Sequence, residues 1–264
     1  MMIGQSKIKE WVRSLNIDSL PHSLLICGES GSGKHSIIKL IIDKININLI
    51  NLDKIDKDII EFMYTSVEPT LYVIDLNSID LKKENIILKV LEEPNKNIYI
   101  VITCENKSNI IPTILNRCFL IDVEPYKIEE LSTFLFSDDE KCLVDVFKTP
   151  GKLIYAIDHK NMVYDIMKFS DIFIDHICTA NFSNSLTISN KISFKKDSEG
   201  WDFDIFFQIL LYKIKLKLVE NYSNLLYNLY IITDRLMYEK SILHINKEHL
   251  FENYLVNCKL LNIR

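Results

Sequence analysis

The sequence predicts an α/β protein: a parallel sheet with covering helices, followed by helices alone. Three observations carry this reading. Short apolar runs alternate with helix-period segments as far as Val123, which is the pattern of a parallel α/β sheet. A glycine-rich loop joins the first of those runs to an apolar helix. Beyond Pro125 strand alternation stops and only helical periodicity remains.

In chain order, an amphipathic helix is expected over Ser6 to Leu15, and a strand after Pro21. The strand Leu24-Leu25-Ile26-Cys27 runs into Gly28-Glu29-Ser30-Gly31-Ser32-Gly33-Lys34-His35-Ser36, a phosphate-binding loop. A polyphosphate needs several backbone N–H groups aimed at one point, and Gly28, Gly31 and Gly33 allow the chain to curl that tightly. Lys34 adds an ammonium, and the helix expected from Ser36 to Lys44, opening near His35, adds its positive dipole end. Ser32, His35 and Ser36 complete the candidate nucleotide-binding loop.

The residue after the lysine is normally Ser or Thr, whose hydroxyl holds magnesium; here it is His35. Ser36 comes one position late, about 100° further round the helix, and does not simply replace that ligand. Two readings follow. Either the loop binds nucleotide with weakened magnesium handling, which the retained glycines and Lys34 favour, or it is kept for folding.

A strand is expected over Ile47 to Asp53, a helix over Asp56 to Tyr64, then the buried strand Leu71-Tyr72-Val73-Ile74-Asp75. The carboxylate of Asp75 emerges at the C-terminal end of its strand, where open α/β sheets keep their ligands and where phosphate-loop proteins support magnesium. A helix over Glu84 to Leu91 stops at Glu92-Glu93-Pro94, with both glutamates read as solvated helix-end charges. The strand Ile98 to Thr103 places Thr103 beside the same site, with Asn106 following. A helix over Ile110 to Asn116 leads through Arg117-Cys118 to a last strand, Phe119 to Val123.

After Pro125 helices are expected over Ile128 to Phe136, Asp138 to Phe147 and Lys152 to Lys160. A second helical block opens near Asn161. It contains a polar interval from Asn181 to Gly200 and amphipathic helices over Asp202 to Leu218, Ser223 to Tyr238 and Lys247 to Leu261. Phe203, Phe206 and Tyr212 recur at near-helical spacing and read as core.

The chain has 264 residues, 48% of them hydrophobic, enough for real cores. A formal charge of −5 excludes nucleic-acid binding by a global basic surface. Six cysteines, without a C-x-x-C pair or a histidine at ligand spacing, argue against zinc and read as reduced core thiols of an intracellular protein. No stretch reaches 18 consecutive apolar residues and Met1 to Lys7 lacks the form of a signal peptide, so a cytoplasmic protein with no membrane association is expected.

These elements resemble, in order, an AAA+ clamp-loader subunit, most closely the delta-prime subunit family of bacterial DNA polymerase III. The resemblance rests on Ile3-Gly4-Gln5 with His22-Ser23-Leu24-Leu25, on Leu88-Lys89-Val90-Leu91-Glu92-Glu93-Pro94, similar to the family's LLKxLEEP helix, and on Pro112-Thr113-Ile114-Leu115-Asn116-Arg117-Cys118, similar to its PTILSRC segment. Thr149-Pro150-Gly151 stands where the family has a turn in its lid. The resemblance implies an AAA+ nucleotide-binding module over 1–124, a helical lid over 125–160 and a helical collar for oligomerisation over 161–264.

It implies as partners the other clamp-loader subunits, a sliding clamp, and primer-template DNA reached through the complex. It further implies that Arg117 acts in trans as an arginine finger on a neighbour's ATP site. An isolated arginine there would instead read as a cap on the preceding helix. Leu76 stands where a hydrolysing subunit carries a carboxylate, and Gly151 with Lys152 where motor subunits often carry a sensing arginine. With His35, these departures point to ATP binding without efficient hydrolysis in a non-motor subunit. A catalytically active loader subunit and an AAA+ adaptor of a non-replicative assembly are the alternatives. The zinc module of many bacterial relatives has no counterpart, since only the 34 residues from Ile37 to Thr70 separate loop and aspartate strand.

Overall fold

The structure, a computed structural model, describes residues 3–76, 81–135, 137, 140–179, 201–242 and 246–261. The chain groups into two compact units, one of residues 1–134 with 148–152, the other of residues 135–147 with 153–264.

The first unit is built on five parallel strands in the order β2-β3-β4-β1-β5: β1 Ser23–Cys27, β2 Asn48–Leu52, β3 Thr70–Asp75, β4 Ile98–Cys104 and β5 Phe119–Asp122. Side chains alternate across a strand, so the three central strands β1, β3 and β4 each feed two cores. Leu24, Ile26, Val73 and Val101 pack on one face with α1 (Ser6–Ser14) and α2 (Lys34–Ile45). Leu25, Tyr72, Ile74, Ile100 and Ile102 pack on the other with α3 (Lys57–Tyr64), α4 (Leu81–Glu92) and α5 (Pro112–Leu115). Burial on both faces is why these strands read as unbroken apolar runs. The chain leaves β1 through α2 on one face and leaves the adjacent β4 through α5 on the other, which opens a crevice at the C-terminal ends of these two strands.

Several boundaries differ from the sequence expectation. Helix α2 begins at Lys34, because Gly33 at φ 93° ends the loop and caps it, and it closes on Asn46 at φ 58°, whose N–H donates to Ile42 O. The helix expected over 110–116 shrinks to α5, because Ile111 precedes a proline and is held extended. The helix expected over 128–136 is α6, Ile128–Ser132, and that over 138–147 is α7, Lys141–Val146; residues 136, 138 and 139 are outside those described. Pro150-Gly151, expected as a turn, opens α8 (Pro150–Asp158), with proline at the first helical position where its missing N–H costs nothing.

In the second unit, α9 (Lys160–Cys178), α10 (Phe203–Glu220), α11 (Asn224–Ile242) and α12 (Lys247–Leu261) pack around aromatic side chains. Phe203 and Phe206 are fully buried, as their spacing suggested, whereas Tyr212, read as core with them, is only partly buried. Asp202 caps α10 by accepting from the N–H groups of Asp204 and Ile205. Lys213 donates to Asp171 at 2.8 Å, and Lys217 pairs with Asp175. Equal four-residue steps in the same direction mean that α9 and α10 run parallel, and parallel neighbours need a long return connection. The polar interval 181–200, expected as turn-rich, is outside the described residues. The two remaining joins are short, and Lys240 near the end of α11 pairs with Asp204 at the start of α10, as antiparallel neighbours must.

The cysteines depart from the core-thiol reading. Cys27, Cys104 and Cys258 are buried, but Cys142 and Cys178 are exposed on helix surfaces whose apolar faces made them look internal.

Phe206 touches Phe169, Trp201, Phe207 and Phe251 and has no exposure. Phe206→Ala is expected to destabilise the helical unit by about 3–5 kcal/mol. The two tryptophans lie one in each unit, so urea unfolding of single-tryptophan variants retaining Trp201 or Trp11 checks this; the Trp201 transition moves to lower urea while that of Trp11 holds.

Candidate functional site

The site is built where β1, β3 and β4 end. Gly28 N–H donates to Cys104 O at 3.1 Å, which ties the first loop residue to β4. A Cβ on Gly28 would lie 2.7 Å from Ser32 Oγ and 2.9 Å from Val123 Cβ, so only glycine fits. Gly31 at φ 76° supplies a second left-handed position.

All five loop carbonyls from Gly28 to Ser32 accept hydrogen bonds from elsewhere in the first unit or from the loop itself. Lys34 Nζ donates to Gly28 O at 2.6 Å and Glu29 O at 3.0 Å. Ser32 N–H also reaches Glu29 O at 3.1 Å. Thr149 Oγ1 donates to Ser30 O at 2.9 Å, Gly151 N–H to Gly31 O at 2.8 Å, and Tyr126 Oη to Ser32 O at 2.8 Å. With the carbonyls held outward, the N–H groups at the start of α2 have no side-chain cap to satisfy them. Burial raises the Tyr126 phenol above its ordinary range and keeps it a donor. Burial likewise holds the Cys104 thiol protonated, so no thiolate competes for Lys34.

Within this frame Ser32 is 4% exposed, and its Oγ is buried without a hydrogen-bond partner. Such an orphaned hydroxyl beside an uncapped helix N-terminus fits a group rich in acceptor oxygens. Lys34 is also buried. A phosphate therefore fits the residues present. A hard divalent cation fits less well: His35 and Ser36 are exposed on the first turn of α2, and imidazole is a poor ligand for magnesium. Asp75 and Thr103 face each other in register, with Thr103 Oγ1 donating to Asp75 Oδ1 at 3.2 Å, so the structure brings these two together at the crevice. Leu76, next along, is buried at 9% exposure and offers no carboxylate.

Arg117 stands apart from the loop, just past α5. Its Nη1 donates to Thr113 O at 2.8 Å, which caps α5, and its Nη2 donates to Glu92 Oε1 at 2.6 Å. The side chain is 33% exposed. Glu92 is thus no freely solvated helix-end charge: the α4 terminus faces the α5 terminus, a juxtaposition that sequence spacing does not carry. Tyr126, Thr149 and Gln5 were missed as well. Gln5 reads the backbone of Glu124 from both sides, donating to its carbonyl at 2.6 Å and accepting from its N–H at 3.1 Å. Each acts across 94 residues or more, and only the family-like segments at 3–5 and 149–151 signalled Gln5 and Thr149, with nothing pointing to Tyr126.

A family model described as DNA polymerase III, delta subunit, matches residues 43–127, from the end of α2 to beyond β5. A DNA polymerase III gamma subunit-related protein from Thermotoga maritima shares the fold at a TM-score of 0.57 and 17% identity, with 96% of this chain and 97% of that one covered. The Holliday junction branch migration motor RuvB of the same organism aligns at a TM-score of 0.46 and 16% identity, over 83% of this chain and 76% of that one. A variant of that RuvB with one arginine replaced by alanine aligns at 0.47 and 17%, over 63% of this chain and 64% of that one. No curated protein matches the sequence. The family match covers 85 of the 264 residues, and the likeness to the gamma subunit-related protein is one of fold, an α/β sheet module followed by helices. Among the described residues, no helix is long and apolar enough to cross a membrane.

A Cβ on Gly151 would fall 2.7 Å from Gly31 Cα and 3.0 Å from Gly31 O. Glycine to alanine near a helix start ordinarily stabilises by up to about 1 kcal/mol. Gly151→Ala is expected to reverse that sign and destabilise by about 1–3 kcal/mol through backbone displacement. Thermal unfolding of the two proteins checks it, and a stabilised variant would mean that the 149–152 segment does not bear on the loop.

Proposed function

We propose that the chain is a non-motor, delta-prime-like subunit of a DNA polymerase clamp loader. In this reading it scaffolds a ring of loader subunits and donates Arg117 to a neighbouring ATPase while a sliding clamp is placed on primed DNA. The working parts are an AAA+ module over 1–124, a lid over 125–160 and a collar over 161–264. The observation that carries the reading is Leu76: a buried apolar side chain follows Asp75, where turnover needs a carboxylate to orient the attacking water.

The chain's own chemistry is then phosphate holding. The first-turn N–H groups of α2, Ser32 Oγ and Lys34 would hold the phosphates of ATP, and Gly28, Gly31 and Gly33 permit the approach. ATP, when bound, would supply the negative charge that these N–H groups and Lys34 are placed to receive. Asp75 and Thr103 stand at the far side of the crevice, where they would orient a terminal phosphate or its magnesium. His35 stands where a hydroxyl would help to hold that metal, and with Leu76 this favours binding without efficient turnover. The Arg117 guanidinium works in another subunit's site, where its fixed positive charge stabilises negative charge developing on the transferred phosphoryl group. Supporting this role are its partial exposure and the family match that spans it. In this reading the protein works in the cytoplasm among replication proteins.

The purified chain is expected to hydrolyse ATP at no more than background in a phosphate-release assay. A substantial rate abolished by Lys34→Ala would make it a motor subunit instead. In the complex assembled with its ATPase partners, Arg117→Ala is expected to lower turnover at the neighbouring site by about 10³-fold with native mass unchanged. Loss of assembly in that variant would show Arg117 to be structural.

A further inference from the structure

Arg117 has five N–H donors, and the structure commits two of them. Nη1 is held by Thr113 O and Nη2 by Glu92 Oε1, and among the described residues the remaining three have no acceptor. The two acceptors come from different helices, α5 and α4. Together they fix the plane of the guanidinium, which a single helix-capping bond leaves free to rotate. The α4 end is itself anchored: Val90 and Leu91 are buried in the core beneath the sheet, and Tyr64 Oη donates to Glu93 O at 3.1 Å. Ile114 beneath Arg117 is fully buried in the same core. Glu92 is therefore a carboxylate on a rigid support, aimed at a long side chain that would otherwise sample many rotamers.

We infer that Glu92 is a positioning residue for Arg117: it orders the guanidinium at the subunit surface, with a donor edge left to receive phosphate oxygens from a neighbouring subunit. This rests on the reading of Arg117 as acting in trans. An exposed ion pair contributes little stability, so the consequence of the pair lies in orientation, where a displacement of about 1 Å at a catalytic group costs up to about 100-fold in rate. The carboxylate does not have to leave when phosphate arrives, because the unengaged donors suffice for a bidentate contact.

The test uses the loader complex reconstituted with the full chain and the ATPase subunits that co-purify with it. The readout is the Arg117-dependent rate, meaning the difference between wild-type and Arg117→Ala complexes. Glu92→Ala is expected to lower the kcat of that part by about tenfold with KM for ATP and native mass unchanged. Glu92→Gln, which keeps an acceptor in place, is expected to restore most of it. In the isolated chain, the side-chain N–H resonances of Arg117 should be resolved in wild type and broadened in Glu92→Ala, with the unfolding temperature within about 2 °C. An unchanged or raised rate in Glu92→Ala, where Arg117→Ala is deleterious, overturns the positioning role alone. A neutral Arg117→Ala overturns the trans-acting reading and this inference with it.

Discussion

The rest of the candidate site depends on one constraint, that five consecutive carbonyls of the phosphate loop each accept a hydrogen bond. Lys34, Thr149, Gly151 and Tyr126 supply donors to Gly28, Glu29, Ser30, Gly31 and Ser32. A peptide unit whose oxygen is held in one direction presents its N–H in the other. Holding all five shapes a concave loop in a chain that, for its glycines, has unusual freedom to do otherwise. The cost of ordering those glycines is met partly by these bonds and partly by β1, which is paired on both sides, to β4 and β5.

The same bonds tie residues far apart in the chain to one point. Tyr126 follows β5, and Thr149 and Gly151 come after α7 in sequence, yet both groups end on loop oxygens. A change in loop conformation is therefore felt at 126 and at 149–151 without any intermediary. The close approach of Gly151 to Gly31, with no room for a Cβ on either side, makes this contact sensitive to a single methyl group. Arg117 belongs to a different region of the same sheet, where the α4 and α5 ends meet. Its surroundings are polar and partly solvated, so its pairing with Glu92 orients more than it stabilises.

Much of the fold was legible because strands buried on both faces leave an unmistakable apolar run. β1, β3 and β4 appear within a residue or two of their expected limits for that reason. Helix ends were less legible, since they turn on backbone conformation: α2 starts two residues early at left-handed Gly33, and Ile111 before Pro112 delays α5. The parallel course of α9 and α10 could not be read at all, because Lys213 and Lys217 meet Asp171 and Asp175 across 42 residues. Exposed Cys142 and Cys178 show the complementary failure, in which an apolar neighbourhood in sequence is mistaken for burial in space.

By itself the sequence determined which backbone positions curl and which run straight, because glycine, proline and β-branched residues restrict or free their own dihedrals whatever surrounds them. It therefore carried the loop at Gly28 to Lys34, the strand carrying Asp75, and the chemistry of Leu76 and His35. Tertiary structure alone decided what each functional group touches: Lys34 on the Gly28 and Glu29 carbonyls, Tyr126 and Thr149 on the loop, and Glu92 on Arg117. Those contacts depend on strand order and helix placement, which the packing of two separate faces of one sheet selects and no local pattern encodes.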